Sequence, residues 1–181
     1  MKNKSFKDSA EKRYSTKQWV LFITGIVAII IGTSFLGAFG VRKIHRELQK
    51  QKMFRENIVI EIPDIKIKAP VLEGIDNETL SKATGHFPDT GSVGTGNYCI
   101  AGHSSTIYKE YFNNLKNIES GMKINLYDID KKQYIYTVTE KFIVEPDETW
   151  ILNDYSDNRI TMVTCTDDGK QRQVVVGMKD N

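Results

Sequence analysis

The sequence predicts a mainly β domain, folded as a closed or nearly closed barrel, behind one N-terminal membrane-spanning helix. Three observations carry this. Between Trp19 and Val41 lie 23 residues without a charge. From Asn57 onward the texture changes to short β-branched and aromatic runs broken by Gly, Pro, Asn and Asp. Between those runs there is room only for short helices. Seven or eight short strands close well as a barrel, which leaves no unpaired edge.

The apolar run comes first. A helix needs about 20 residues to span a bilayer, and WVLFITGIVAIIIGTSFLGAFGV is long enough. It lacks the polar stripe of a soluble amphipathic helix. It also exceeds the roughly 7–15 apolar residues of a cleaved signal peptide, and no clear A-x-A site follows. The reading is an uncleaved anchor over 19–41. Residues 1–18 read as a cytoplasmic tail. Residues 42–56, without Gly or Pro, read as a basic helical stalk that continues the span. Six basic residues flank the span on each side, so the positive-inside rule leaves its orientation open.

Charge separates the same parts. Residues 1–56 carry 12 Lys/Arg against 4 Asp/Glu, and residues 57–181 carry 13 against 19. The overall +2 therefore hides a basic stalk and an acidic domain. A basic stalk suits lipid headgroups. An acidic domain without a Lys/Arg stripe is not a nucleic-acid binder.

Within 57–181, strands are expected at 58–62, 65–72, 97–102, 122–128, 133–144, 159–164 and 172–178. Alternation is clearest in 133–144, where Tyr134, Tyr136, Val138 and Glu140 fall on one face and Ile135, Thr137 and Thr139 on the other. Short helices are expected at 77–83 and 107–115, and turns at 128–132 and 167–170.

The chemistry-bearing residues are few. Cys165 ends an apolar run, the turn Asp167–Lys170 follows, and Arg172 opens the next run. Asp-Gly is a strong hairpin signal. Pairing of the two runs brings Cys165 and Arg172 to one mouth. There an arginine favours a thiolate or stabilises an oxyanion; a surface ion pair for Arg172 is the equal alternative. Three histidines compete for the role of proton partner. His45 lies in the basic stalk, His86 in a Gly/Pro-rich loop, and His103 at the end of the strand NYCIAGH. A strand end on a barrel rim suits catalysis. Cys99 reads as a small buried hydrophobe, with a Cys99–Cys165 disulfide as the alternative in an extracellular protein. No metal or cofactor motif is present: CxxC, HExxH, the Walker loop and GxGxxG are all absent.

The run TMVTC (161–165) followed by Arg172 resembles the TLxTC…R signature of sortases. AGH (101–103) is similar to the strand-end histidine of that family, and GHFPDTGSVGTGNYCIAGH (85–103) to its loop-and-strand block. The resemblance covers roughly 57–178. Met162 stands where leucine is common, and Ser104 where arginine is common, so no role is assigned to Ser104. What the resemblance implies is a closed eight-stranded barrel, held outside the plasma membrane of a Gram-positive cell by a single-pass anchor. It implies Cys165 as nucleophile, His103 as general acid/base and Arg172 as oxyanion or substrate-orienting group. It implies an LPXTG-like sorting signal cut between Thr and Gly through a thioacyl-enzyme, with transfer to an amine of lipid II or peptidoglycan. No cofactor is implied. The short segment 145–158 fits a class D-like member, and the resemblance implies that it helps bind the signal peptide, which makes Val144, Trp150, Ile151 and Leu152 candidate pocket residues; core packing explains them about as well. Thr164, beside the cysteine in the motif, joins them. FPDTGS (87–92) looks like a sorting signal itself, but Pro-Asp-Thr-Gly also makes an ordinary turn. The competing reading from another class is a non-catalytic anchored β-barrel, an adhesin or sensor.

Overall fold

The computed structural model describes residues 16–105, 107 and 110–180. The tail at 1–15 and positions 108 and 109 of the expected helix 107–115 lie outside them. The described chain falls into two units, one ending at Gln49 and the other beginning at Lys50. The first is helical throughout, belonging to the helix α1 (Thr16–Glu56). This helix starts three residues before the expected span and absorbs the end of the expected tail. It is the one described helix long and apolar enough to cross a membrane.

The second unit is a closed barrel of eight strands: β1 (Ile58–Ile62), β2 (Ile67–Glu73), β3 (Thr84–His86), β4 (Asn97–Ala101), β5 (Lys123–Tyr127), β6 (Gln133–Val144), β7 (Arg159–Cys165) and β8 (Arg172–Lys179). Their order around the barrel is β1-β2-β3-β4-β7-β8-β6-β5, closed by β1 pairing with β5. The pairs β2–β3 and β4–β7 are parallel and the rest antiparallel.

Four expectations shift. β2 begins at Ile67, because Pro63–Ile65 form a 3-10 turn and Lys66 takes a left-handed backbone at φ 57°. β3 occupies part of what reads as a Gly/Pro-rich loop. It is three residues long and is held by the Thr84 hydroxyl donating to the Pro70 carbonyl at 2.7 Å. The helix expected at 77–83 is a single turn, α2 (Asn77–Leu80), capped by the Asp76 carboxylate. In the described part of 107–115, residues 111–114 are turns, and a 3-10 turn follows at Leu115–Asn117.

Two apolar layers form. The barrel interior holds Ile60, Ile62, Ile100, Leu126, Tyr136 and Met162, none of them solvent-exposed. Truncating any one to alanine costs about 2–5 kcal/mol. Phe112, Leu115 and Ile118 join this interior from the 111–118 segment. The second layer lies on the outer face of the β6–β8–β7 sheet: Val144, Val163, Val174 and Val176, covered by Ile151. A β-bulge in β6 between Val138 and Glu140 connects the two. One extra residue there moves every later side chain to the other face. Glu140 consequently leaves the face of Tyr136 and Val138, contrary to simple alternation. It pairs with Val176, while Phe142 and Val144 pack into the outer layer.

Candidate active site

β4 and β7 are buried on both faces, between the barrel interior and the outer layer. That is why they read as unbroken apolar runs rather than alternating ones. Their register is parallel, with Ala101 opposite Val163. Beyond Ala101 the pairing carries on through single hydrogen bonds. Gly102 N–H donates to the Val163 carbonyl at 3.1 Å. The Thr164 hydroxyl donates to the Gly102 carbonyl at 2.7 Å. The Ser104 hydroxyl donates to the Cys165 carbonyl at 2.9 Å. Phe112 N–H donates to the His103 carbonyl at 3.1 Å. His103 is thus fixed by the backbone on both sides of it. A Cβ at Gly102 would stand 2.5 Å from the Phe112 ring, so any larger residue there forces that contact to shift.

β7 and β8 form the hairpin, and Cys165 stands directly opposite Arg172. Directly opposed residues share a face, with Cβ atoms about 4.5–5.5 Å apart. Val144 of β6 lies opposite Arg172 on its other side. The turn is pre-formed. Thr166 N–H donates to the Gln171 carbonyl at 3.0 Å, and Gly169 takes φ 71°. The Asp168 carboxylate accepts from the Thr166 hydroxyl at 2.6 Å and from Lys170 N–H at 3.1 Å, and these bonds hold its carboxyl below the ordinary 3.8. Arg172 donates through Nη1 to the Gln171 carbonyl at 3.2 Å. It has no carboxylate partner among the described residues.

His103, Cys165 and Arg172 line one groove of about 350 Å³. Ile151, Leu152 and Thr164 line it too, and Ile75, Leu80 and Phe87 contribute further apolar surface. The other two candidate pocket residues lie elsewhere. Val144 is buried in the layer that also holds Ile151, and Trp150 stacks on Phe142 with centroids 5.6 Å apart. A smaller cavity of about 130 Å³ adjoins, sharing Cys165 and Thr164 and flanked by Ser104, Lys116 and Asp167.

The competing residues are accounted for. His86 bonds Glu73 through Nδ1 at 2.8 Å and Gly91 O through Nε2 at 3.0 Å, and it stacks on Tyr98 at 4.4 Å. Both of its ring nitrogens are engaged within the fold. Both cysteines are free. Cys99 lies opposite Thr161, four residues before Cys165 along β7. Four residues span roughly 13 Å, whereas a disulfide needs Cα atoms within about 7 Å. Burial pushes the Cys99 thiol up to about 11. FPDTGS folds as a tight turn, closed by the Thr90 hydroxyl donating to the Phe87 carbonyl at 2.8 Å. Among the described residues no group of three or more His, Cys, Asp or Glu could hold a metal ion.

Sequence reasoning passed over two residues. Ser104, left without a role, ties the histidine loop to the cysteine. Asn97, seen only as part of a motif, anchors the turn that carries Ile151 and Leu152.

Comparison with known proteins places this chain in a family. Residues 60–180 match the family described as Sortase domain. Sortase A of Bacillus anthracis is 32% identical over 120 residues, covering 65% of this chain and 57% of that protein. Sortase D of Bacillus subtilis is 27% identical over 109 residues, covering 59% and 52%. The matched part spans about half the length of the curated relatives. Among solved structures, a Clostridium perfringens Sortase D5 transpeptidase superposes with a TM-score of 0.63 at 31% identity, covering 75% of this chain and 89% of that one. Listeria monocytogenes sortase A gives a TM-score of 0.65 at 27% identity, covering 70% and 88%. The family's domain runs from the first strand of the barrel to the last, and the chain belongs to the sortase family.

Proposed function

We propose that this protein is a membrane-anchored cysteine transpeptidase that cuts an LPXTG-like sorting signal between Thr and Gly and transfers the protein to a cell-wall amine. The observation that carries this reading is the direct opposition of Cys165 and Arg172 across the β7–β8 pair, with His103 on the same groove.

The chemistry follows from those three side chains. The Cys165 sulfur, as thiolate, attacks the threonine carbonyl. The charge that develops on the carbonyl oxygen is met by the Arg172 guanidinium, whose donors form a fixed planar fork. His103, protonated, gives its proton to the departing glycine nitrogen as the C–N bond breaks. The threonine acyl group is left on sulfur as a thioester, which keeps it activated. An acceptor amine then attacks the thioester, His103 takes the proton that the amine sheds, and Cys165 is released. The smaller cavity, which meets the groove at Cys165 and Thr164, offers that amine an approach outside the peptide's path. The groove's apolar lining suits the leucine and proline of the signal, with Ile151, Leu152 and Thr164 as binding residues. Val144 and Trp150 do not line the groove.

In this reading α1 is the single-pass anchor in the plasma membrane, with the tail in the cytoplasm, the stalk at the headgroups and the barrel outside. Anchoring keeps the enzyme beside lipid-linked partners and raises their effective concentration. The likeness to a D5 transpeptidase is compatible with a class D-like member.

The test uses the full chain in detergent micelles, a quenched LPXTG-type peptide and a small amine acceptor. Cleavage with a mass-identified peptide–amine product supports transpeptidation. Cleavage that yields only the free acid at every amine concentration reduces the reading to a hydrolase. No cleavage across a panel of signals removes it.

A further inference from the structure

We propose that Asn97 is a positioning residue that sets the signal-peptide wall of the groove, so that it governs peptide affinity and leaves the chemistry at Cys165 intact. The inference rests on the transpeptidase reading of that groove. Asn97 opens β4, and it and Thr161 are each 1% exposed. Its amide is fully used. Nδ2 donates to the carbonyls of Ile151 and Asn153, both at 2.9 Å. Oδ1 accepts from the Thr161 hydroxyl at 2.7 Å. One side chain thus ties β4, β7 and the 145–158 segment together at one point.

The wall needs that tie. Residues Trp150–Leu152 form one 3-10 turn, and so short a turn does not hold its own position. Its internal bonds are Leu152 N–H to Thr149 O and Asn153 N–H to Trp150 O. The carbonyls of Ile151 and Asn153 are bound by Asn97 instead. Gly96 N–H adds a second anchor by donating to Asn158 Oδ1 at 3.1 Å. Ile151 is pressed into the outer apolar layer, and both Ile151 and Leu152 face the groove. Only an amide has two donors and an acceptor in this shape. A carboxylate of the same size would put an acceptor oxygen in place of Nδ2, against two carbonyls. The catalytic end of β7 lies roughly 13 Å away, four residues along the strand from Thr161, and has its own hydrogen bonds. Affinity and chemistry are therefore separable.

The test compares wild type, Asn97→Asp, Thr161→Val and Thr161→Ser as full chains in micelles. Three quantities are read: KM and kcat for the signal peptide, the alkylation rate of Cys165 by iodoacetamide, and hydrogen exchange across 149–154 and across β8. For Asn97→Asp the expected result is a KM raised about tenfold, equivalent to ~1.4 kcal/mol. Its kcat and alkylation rate stay close to wild type, and exchange quickens in 149–154 alone. Thr161→Val moves the same way by less, and Thr161→Ser, which keeps the hydroxyl, restores wild-type values. A fall in kcat at unchanged KM, or unchanged exchange in 149–154, overturns the proposal. Should Asn97→Asp fail to fold, the Thr161 pair decides by the same criteria. Should wild type cleave no peptide, the transpeptidase reading falls, and exchange alone decides whether Asn97 holds the wall.

Discussion

The two ends of the β4–β7 pair solve opposite problems with the same kind of hydrogen bond. At one end Asn97 and Thr161 are buried, and their polar atoms are consumed in holding a neighbouring turn. At the other end His103, Cys165 and Arg172 are half-exposed; the bonds around His103 and Cys165 come from Gly102, Ser104 and Thr164, and Arg172 is placed by the β7–β8 pairing. Of these three side chains, Arg172 spends one donor, on the Gln171 carbonyl, and pairs with no carboxylate among the described residues. A buried polar network is rigid when fully satisfied and costly when one member is lost. A catalytic end cannot be built that way, because its side chains must meet a substrate. In the proposed reading this is a division of labour along one strand pair: the closed end shapes the groove and the open end carries the chemistry.

The largest expected effect comes from the open end. Arg172→Lys keeps the charge but replaces a planar fork with a point charge. Loss of a transition-state donor of this type costs about a hundredfold or more in kcat, and it should do so with Tm little changed. Near-normal turnover would show that Arg172 does not stabilise the oxyanion. Next comes Gly102→Ala. Its methyl would meet the Phe112 ring at 2.5 Å, and overpacking of this kind costs about 1–3 kcal/mol. Urea unfolding of the variant should show that loss together with reduced turnover. Full stability would mean that Phe112 gives way, and that the open end is less tightly built than described.

A smaller effect is expected from Ser104→Ala, which deletes one half-exposed bond to the Cys165 carbonyl. Such a bond is worth about 1 kcal/mol, so kcat should fall several-fold while KM holds. Asn97→Asp should give the reverse split. If both variants moved the same parameter, the two ends would not be separable.

The smallest effect concerns pH at the closed end, where Arg159 opens β7. Hydrogen bonds from Arg159 hold the Asp157 carboxyl below its ordinary 3.8. A carboxyl with a depressed folded value stabilises fully above its unfolded value, and loses that contribution as pH falls through the folded one. Asp157→Asn should therefore cost up to about 1 kcal/mol near neutrality. The cost should vanish in strong acid, as read by urea unfolding at the two pH values. An equal cost at both would assign the effect to packing.

Much of this was legible in the sequence for definite reasons. Exposed strands such as β5 and the first half of β6 alternate, and strands buried on both faces read as solid apolar runs, so both kinds announce themselves. The Asp-Gly turn fixes the β7–β8 register, and that register brings Cys165 opposite Arg172. β3 stayed hidden because three residues with a glycine at the centre, just before a proline turn, carry no periodicity. The bulge in β6 stayed hidden because one inserted residue leaves composition untouched while it flips a face. Asn97 and Ser104 went unread because their bonds go to backbone carbonyls more than fifty residues away. The resemblance groups Val144 and Trp150 with Ile151 and Leu152 as one binding segment, without separating the side chains that line the groove from those that do not. The 3-10 turn at Trp150–Leu152 sends Trp150 to Phe142 and the other two to the groove.

The most direct test of the account is the mass of the intact full chain, quenched during turnover of an LPXTG-type peptide without an amine acceptor. The account predicts an adduct equal to the peptide through its threonine, attached at Cys165, discharged by hydroxylamine and absent from Cys165→Ala. Turnover with no adduct on Cys165, or an adduct that persists in Cys165→Ala, would contradict it.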